Sequence, residues 1–598
     1  MSGKKLPEKD ELKVSANTMA VLRRRYLLKD DKHNIIETPD ELFRRVGSHV
    51  SKAESSYKSK ESPHEVEEKF YRMMRRLEFL PNSPTLMNAG TASGQLSACF
   101  VLPVQDSMDG IFEALKNMAK IHQSGGGTGF SFSNLRRKGA LVSSTKGDAS
   151  GPVSFMSIFD IATGIIVQGG RRRGANMGIL RCDHPDIIEF VDSKTQKGKF
   201  ENFNLSVSVT DEFMEAVKHN GSYYLKEPQT GEKIESVRAR DVFEHIVNAA
   251  WLCGDPGLVF IDEINRCNPV PGAGRIEATN PCGELPLIAY ESCNLGSINL
   301  SKMVKEGAPD WEKLKGTIRW ANRFLDDVIE VNDYPLAEIK RVTQANRKIG
   351  LGVMGFADML VQLSIGYNSP EARQFAEELM RFIHTESVNA SLQLAAERGV
   401  FGNFSESVYA GQNKRLRNAA VNAIAPTGTI SIIAGCSSGI EPLFAISFVR
   451  DVLAGSRLFE TNAFFERQAR RHGLNDEEVF ARIARAGSLQ KIDAFPDALK
   501  QVFVTAFDIT GEEHLQMQSA FQRYTDNAVS KTVNLPAEAS IDALGKIYQM
   551  AYELKCKGIT VYRYGSREGQ VLSFAGRDRA IRAGPQYRGG CFTGPCAF

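Results

Sequence analysis

Apolar residues in this chain recur at helical spacing in some stretches and in short unbroken runs in others, and the two patterns alternate along most of its length. The first 80 residues read as charged and helical. Their clearest segment, EVEEKFYRMMRRLEFL, spaces Phe70, Met73, Met74 and Leu77 as an amphipathic helix that Pro81 ends. A loop-rich stretch then leads into ACFVLP, an apolar run that predicts a buried strand carrying Cys99. Helical spacing returns from Asp109 to Gln123 and stops at the glycine cluster Ser124–Gly129, where backbone can turn sharply or approach another chain segment closely. A further helical pattern beginning near Phe155 runs into Gly169-Gly170-Arg171-Arg172-Arg173-Gly174, followed by a strand-like Met177–Leu180. Later strand-length runs are LSVSV, GLVFI, ELPLIAY, SINL, KIGLGVMGF, NAIAP, TISIIAG and GITVYRY.

Strands of this kind alternating with helices predict an α/β fold whose strands are covered on both faces. Composition excludes other classes: 598 residues with 42% hydrophobic and 24% charged positions do not describe a disordered or coiled-coil chain. Lys and Arg nearly balance Asp and Glu, leaving +3, so no global footprint for nucleic acid or anionic membrane is expected. No run approaches the ~18 apolar residues needed to cross a bilayer, and a cytoplasmic protein without a membrane partner is expected. The ten cysteines are too sparse for a disulfide scaffold, so their positions must reflect chemistry or packing.

Asn280-Pro281-Cys282-Gly283-Glu284 is the first candidate for chemistry. Pro and Gly prevent a helix, and an extended segment would present amide, thiol and carboxylate on one face. A neighbouring carboxylate raises a thiol pKa and opposes thiolate nucleophilicity. The combination suits a thiol that loses a hydrogen atom, with Glu284 as acid/base and Asn280 as anchor. Cys99 and Cys293 lie on separate apolar runs and could cycle as a disulfide if the fold joins them. Cys591 and Cys596, spaced C-x4-C near the C-terminus, suit thiol exchange, and no further ligands nearby support a metal site there. Cys182, Cys253, Cys267, Cys436 and Cys556 read as packing residues. Pro426-Thr427-Gly428-Thr429-Ile430-Ser431 reads either as an anion-binding turn or as a capped helix start, and the three arginines at 171–173 as a basic loop or a solvated turn.

NSPTLMNAG, QLSACFVLP, SGGGTGFSFSNLR, NPCGE, ESCNLGSINLS, KIGLGVMGFAD, APTGTIS, TDNAVSKTVNLP and GITVYR stand in one order along the chain. Together they resemble ribonucleotide reductase, in particular the catalytic chain of the adenosylcobalamin-dependent class II enzymes, from about Asn17 to Gln570. The resemblance implies a ten-stranded α/β barrel with a central finger loop over residues 81–570, a helical region without an ATP-cone over 1–80, and a redox-active tail over 571–598. It implies a thiyl radical at Cys282 that takes the ribose 3'-hydrogen, with Glu284 and Asn280 on the 3'-OH. Cys99 and Cys293 become the pair oxidised as the 2'-OH leaves. Substrate contacts fall to Ser83, Ala98, Cys99, Gly127, Asn280, Pro281, Cys282, Gly283, Glu284 and the turn Pro426, Thr427, Gly428, Thr429, Ile430 and Ser431.

By the same resemblance, dNTP or ATP specificity effectors bind near Asp106, Ser107, Arg171, Arg172 and Arg173 at the interface of a homodimer. No metal is expected. Two alternatives remain: a class I-type large subunit needing a separate radical-generating subunit, and a nucleotide-binding homologue without catalysis. Tyr562 and Tyr564 flank Arg563, where class II chains carry Asp at the position of Tyr564, and strand packing accounts for both tyrosines. Thioredoxin or glutaredoxin would recharge the tail. Replacing both Cys591 and Cys596 with Ala should therefore preserve turnover on dithiothreitol and abolish it on thioredoxin, measured as deoxynucleotide formed.

Overall fold

The computed structural model describes Leu12 and residues 14–566, apart from positions 58, 60, 143–145, 169–171, 197, 452–456, 475–476 and 491. Three N-terminal helices, α1 (Ala16–Arg25), α2 (Pro39–Val50) and α3 (Pro63–Arg75), begin at side-chain caps. For α2 and α3 these are full capping boxes, Thr38 with Glu41 and Ser62 with Glu65, each followed by Pro at the first helical position. The amphipathic segment stops at Arg75, short of Pro81. Its last residues instead start the barrel, because Phe79 and Leu80 are buried against a later strand.

Ten strands make one sheet. In chain order they are β1 (Phe79–Pro81), β2 (Cys99–Pro103), β3 (Gly127–Ser131), β4 (Asn176–Arg181), β5 (Phe203–Val209), β6 (Gly257–Phe260), β7 (Ser292–Asn299), β8 (Ile349–Met354), β9 (Thr532–Leu535) and β10 (Gly558–Arg563). Strands β2 to β6 run parallel to one another in sequence order. At each edge of this block the direction reverses: β7 pairs antiparallel with β2, and β10 pairs antiparallel with β6. Beyond the seams β8 lies parallel to β7 and β9 parallel to β10. Residues 422–424 bridge the remaining gap, Leu351 to Asn422 on one side and Ile424 to Val529 on the other. The sheet thereby curls into a barrel, as expected from the resemblance.

Several apolar runs take other forms than strands. TISIIAG forms the short helix Ile430–Ala434, ELPLIAY contributes only Pro286–Leu287 outside the main sheet, and NAIAP supplies the bridging residues. A short apolar run cannot by itself separate buried helix from buried strand.

Helices cover the outside of the sheet. A core formed by α1 to α3, the helix Trp311–Val331 and the helix Pro370–Arg398 packs on one side, and a second core lies under α5 (Met108–Gln123), α6 (Pro152–Ile165) and the helix Ala239–Cys253, α4 (Ser83–Asn88) intervening after β1. No helix among the described residues is long and apolar enough to cross a membrane. The helical region is tied to the barrel by a buried ionic cluster: Glu54 meets Arg323 at 2.7 Å, and Asp326 is shared by Arg347, Arg398 and Arg417. The arginines hold Asp326 well below the usual carboxylate range against the cost of its burial.

A third, smaller core fills the barrel interior with Val101, Ile179, Leu285, Leu287 and Leu295 around an inserted hairpin, Ala278–Thr279 paired with Pro286–Leu287. Glycines on β3 admit it. A Cβ at Gly129 would overlap the Thr279 carbonyl, and one at Gly127 would press on the Pro281 ring at 3.0 Å. Gly129→Ala should therefore lower stability in urea unfolding by about 1–3 kcal/mol, the usual range for overpacking. Gly316→Ala, in the helix Trp311–Val331 with nothing within 4 Å of its Cβ, should be neutral or stabilising.

Candidate active site

The tip of the inserted hairpin, residues 280–285, is held as a tight turn. Asn280 N–H donates to Leu285 O at 3.2 Å, Gly283 N–H donates to Asn280 O at 3.0 Å, and Gly283 takes φ +80°. The Asn280 side chain closes the turn by accepting from Leu285 N–H at 3.0 Å. Neighbouring elements fix it in the barrel: Asn204 of β5 donates to Pro281 O at 2.8 Å, and Ala528 N–H donates to Glu284 O at 2.9 Å. The expectation of an extended segment with amide, thiol and carboxylate on one face is thus corrected. A turn, closed by Gly283 and Asn280, brings the three groups together instead.

Asn280 Nδ2 donates to Cys99 Sγ at 3.0 Å, so the hairpin reaches the first residue of β2. Cys99 stands directly opposite Cys293 in the antiparallel β2/β7 pairing. Opposed residues in such a pair have Cα atoms about 4.5–5.5 Å apart, inside the range a disulfide spans. Both are thiols here, and burial pushes the Cys293 thiol far up. Glu284 is 1% exposed, and its Oε2 has no hydrogen-bond partner among the described residues. Burial raises its pKa to about 7, and a hydrogen bond from Asn280 offsets only part of that.

Two cavities meet at Cys282. One, of about 770 Å³, is lined by Ser83, Ala98, Cys99, Gly127, Asn280, Glu284 and the turn from Pro426 to Ile430. The other, of about 940 Å³, carries Asn204, Asp255, Ser438, Glu441, Lys531 and Lys557. Pro281, Cys282 and Pro426 border both. In the turn, Thr427 takes φ +54°, a strained value for a β-branched residue, and its hydroxyl is fixed by Gly439 N–H at 2.7 Å. Thr429 Oγ1 is buried and has no partner among the described residues.

This geometry has known counterparts. Residues 97–562 match the ribonucleotide reductase barrel domain and residues 12–94 match the ribonucleotide reductase all-alpha domain. The chain belongs to the ribonucleotide reductase family. The vitamin B12-dependent ribonucleoside-diphosphate reductase of Mycobacterium tuberculosis H37Rv is 50% identical, over 99% of this chain and 83% of that one. The enzyme of the same description from Thermoplasma acidophilum is 49% identical, over 94% of this chain and 81% of its own. Among solved structures, the Actinobacillus ureae class Id ribonucleotide reductase alpha subunit superposes with a TM-score of 0.76 at 25% identity, covering 92% of this chain and 97% of that one.

Within this reductase, the sequence-derived substrate residues converge with two exceptions: Gly283 borders only the second cavity, and Ser431 borders neither but meets the Ser438 hydroxyl at 3.0 Å. Ser83 starts α4, its hydroxyl 2.7 Å from that of Tyr26. Asp106 pairs with Arg136 at 2.8 Å and Ser107 caps α5, both away from the two cavities. Arg172 and Arg173 form a short strand, whereas Arg171, Cys591 and Cys596 lie outside the described residues. Tyr562 is buried on β10, as strand packing requires, whereas Tyr564 lies in the turn just past the strand, half-buried with its ring edge-on to Phe507, so strand packing does not account for it. Cys267, read as a packing residue, is exposed. Asp255, Glu441, Lys531 and Lys557 reach the second cavity from positions whose sequence pattern is that of ordinary charged residues.

Glu284 is protonated in the folded chain below about pH 7, while an unfolded glutamate ionises near its ordinary 4.5. Folding therefore loses stability as pH rises between those values. Glu284→Gln should raise the thermal midpoint relative to the parent above pH 7 and leave it level near pH 4.5, while reducing turnover by about 100-fold or more.

Proposed function

We propose that this ribonucleotide reductase converts ribonucleoside diphosphates to 2'-deoxyribonucleotides with adenosylcobalamin, using Cys282 as the radical site and Cys99 with Cys293 as the reductant. The observation that carries this reading is the position of Cys282 between two cavities, one bordered by Cys99, Asn280 and Glu284 and the other by none of them.

Substrate belongs in the first cavity. The part of the turn from Pro426 to Ile430 holds the phosphates, and the ribose lies against the hairpin tip. Cys282 as a thiyl radical takes the 3'-hydrogen, and Glu284, poised near neutral pH, accepts the proton of the 3'-OH while Asn280 anchors that oxygen. The 2'-OH leaves as water with a proton from the cysteine pair, whose two thiols become a disulfide. One ribonucleotide and two thiols thus give one deoxyribonucleotide, one disulfide and one water. A carboxylate and a buried Cys293 thiol of raised pKa suit hydrogen-atom transfer, because Cys293 is not asked to act as a standing thiolate.

The reactive end of the cofactor is assigned to the second cavity. That cavity reaches the Cys282 thiol from the side away from Glu284, and Asn204, Asp255, Ser438, Glu441, Lys531 and Lys557 give it the polar lining that a hydroxyl- and amide-rich group requires. Bound adenosylcobalamin supplies the radical chemistry that removes the hydrogen atom from the Cys282 thiol. The names of the M. tuberculosis and T. acidophilum relatives support both the cofactor and the diphosphate.

A homodimer through α5 and α6 completes the reading. Ile158, Ile161 and Ile165 form an exposed stripe on α6, Ile165 at 75%, beside exposed Met108 and Phe112 on α5. The effector residues near Asp106 and Ser107 adjoin this face, and the tail cysteines return the disulfide to thiols at the expense of thioredoxin or glutaredoxin.

Anaerobic turnover of CDP and CTP by the isolated chain with dithiothreitol tests the proposal. Product should form only with adenosylcobalamin and faster from CDP, and Cys282→Ser should abolish it while nucleotide still binds in equilibrium dialysis. Product without the cofactor, or turnover by the Ser variant, would overturn the assignment.

A further inference from the structure

Helix α1 stands behind two walls of the first cavity. In its first turn Thr18 Oγ1 donates to the carbonyl of Ile432 at 2.8 Å, in the short helix that follows the turn from Pro426. At its C-terminal end the phenol of Tyr26 lies 2.7 Å from the Ser83 hydroxyl. The two contacts are two helical turns apart, a span of about 12 Å. Ser83 borders the cavity two residues past β1, and the helix Ile430–Ala434 packs on β1, so the serine and the Pro426 turn stand on adjacent walls.

The backbone at Ser83 is held without help from α1. Asn82 N–H donates to Leu295 O at 2.8 Å, and its side chain donates to Leu96 O at 2.9 Å and accepts from Leu295 N–H at 3.1 Å. What these bonds leave open is the direction of the serine O–H, which is free to rotate. Tyr26 is 1% exposed, and among the described residues its hydroxyl and that of Ser83 have only each other as hydrogen-bond partners. A phenol is more acidic than an aliphatic hydroxyl and is the better donor. With Tyr26 donating, the Ser83 oxygen keeps its own hydrogen for a group in the cavity, and accepting from the phenol strengthens that hydrogen as a donor. The opposite direction would turn only lone pairs toward an anion.

We propose that Tyr26 is a positioning residue for substrate: by donating to Ser83 it aims the serine O–H at the phosphates of the ribonucleotide. The N-terminal helix thereby serves a cavity lined mostly by barrel residues. No bond is made or broken, and the pair of neutral hydroxyls adds affinity for an anion without adding charge. The inference rests on the reading that substrate fills the first cavity with its phosphates at the turn from Pro426.

Equilibrium dialysis of CDP against the full chain tests this, with KM and kcat for CDP measured beside it. Binding is read without cofactor, so the result does not depend on the radical generator. Tyr26→Phe removes one oxygen and should weaken CDP binding about three- to tenfold, raising KM alike and leaving kcat within about twofold, because the contact is the same in ground and transition states. Ser83→Ala should weaken binding by about tenfold or more. The decisive comparison is the double variant, in which Tyr26→Phe should cost no further CDP affinity once Ser83 is replaced. Losses that multiply, or a fall in kcat with KM unchanged, would overturn the proposal. A tyrosine that serves packing alone would lower the thermal midpoint of Tyr26→Phe and leave its CDP affinity intact, and that outcome also counts against it. Should Tyr26→Phe fail to fold, 3-fluorotyrosine at position 26 keeps the ring and strengthens the donor. CDP should then bind tighter by about 1.5-fold or more, and unchanged or weaker binding would sink the idea. If Ser83→Ala leaves CDP affinity at the parent level, the substrate role of Ser83 falls, and the proposal with it.

Discussion

Everything functional here depends on one close approach, the insertion of the 278–287 hairpin against β3 in the middle of the barrel. Side chains on β3 would forbid it, and Gly127 and Gly129 remove them where Pro281 and the Thr279 carbonyl pass. Once inside, the hairpin tip reaches Cys99 through Asn280 and divides the interior into two cavities at Cys282. The barrel is therefore wide enough for a loop and two small chambers, and its apolar residues pack on the hairpin stem.

The second constraint is the reversal of strand direction between β2 and β7. An antiparallel seam sets residues opposite one another at a separation a disulfide can bridge, whereas parallel neighbours are offset. Cys99 and Cys293, 194 positions apart by the difference of their numbers, meet only because the seam has this register. The same strand, β7, sets the Cys293 thiol against the Lys348 carbonyl on its other edge, where the Lys348 side chain pairs with buried Glu291.

Dryness links these features electrostatically. Burial without a cation beside it leaves Glu284 near neutrality, where it can give or take a proton at ordinary pH. Asp326 is buried too, yet three arginines hold it ionised. The two carboxylates differ in their partners, which is why one suits acid/base work and the other serves to clamp the helical region and Arg347 to the barrel. That clamp ends one residue before Lys348 and so helps fix the far side of Cys293.

The sequence by itself determined the class of fold, the glycine cluster and the family, because each depends on local rules: spacing, absence of a Cβ, or a fixed order of motifs. It misjudged TISIIAG and the shape of residues 280–284, since short apolar runs and Pro–Gly segments are compatible with several local conformations. Tertiary structure alone decided that Cys99 faces Cys293, that Cys282 separates two cavities, and that Glu441, Lys531 and Lys557 border one of them. Those relations join residues hundreds of positions apart, and only the closure of the barrel and the direction of its strands bring them within reach.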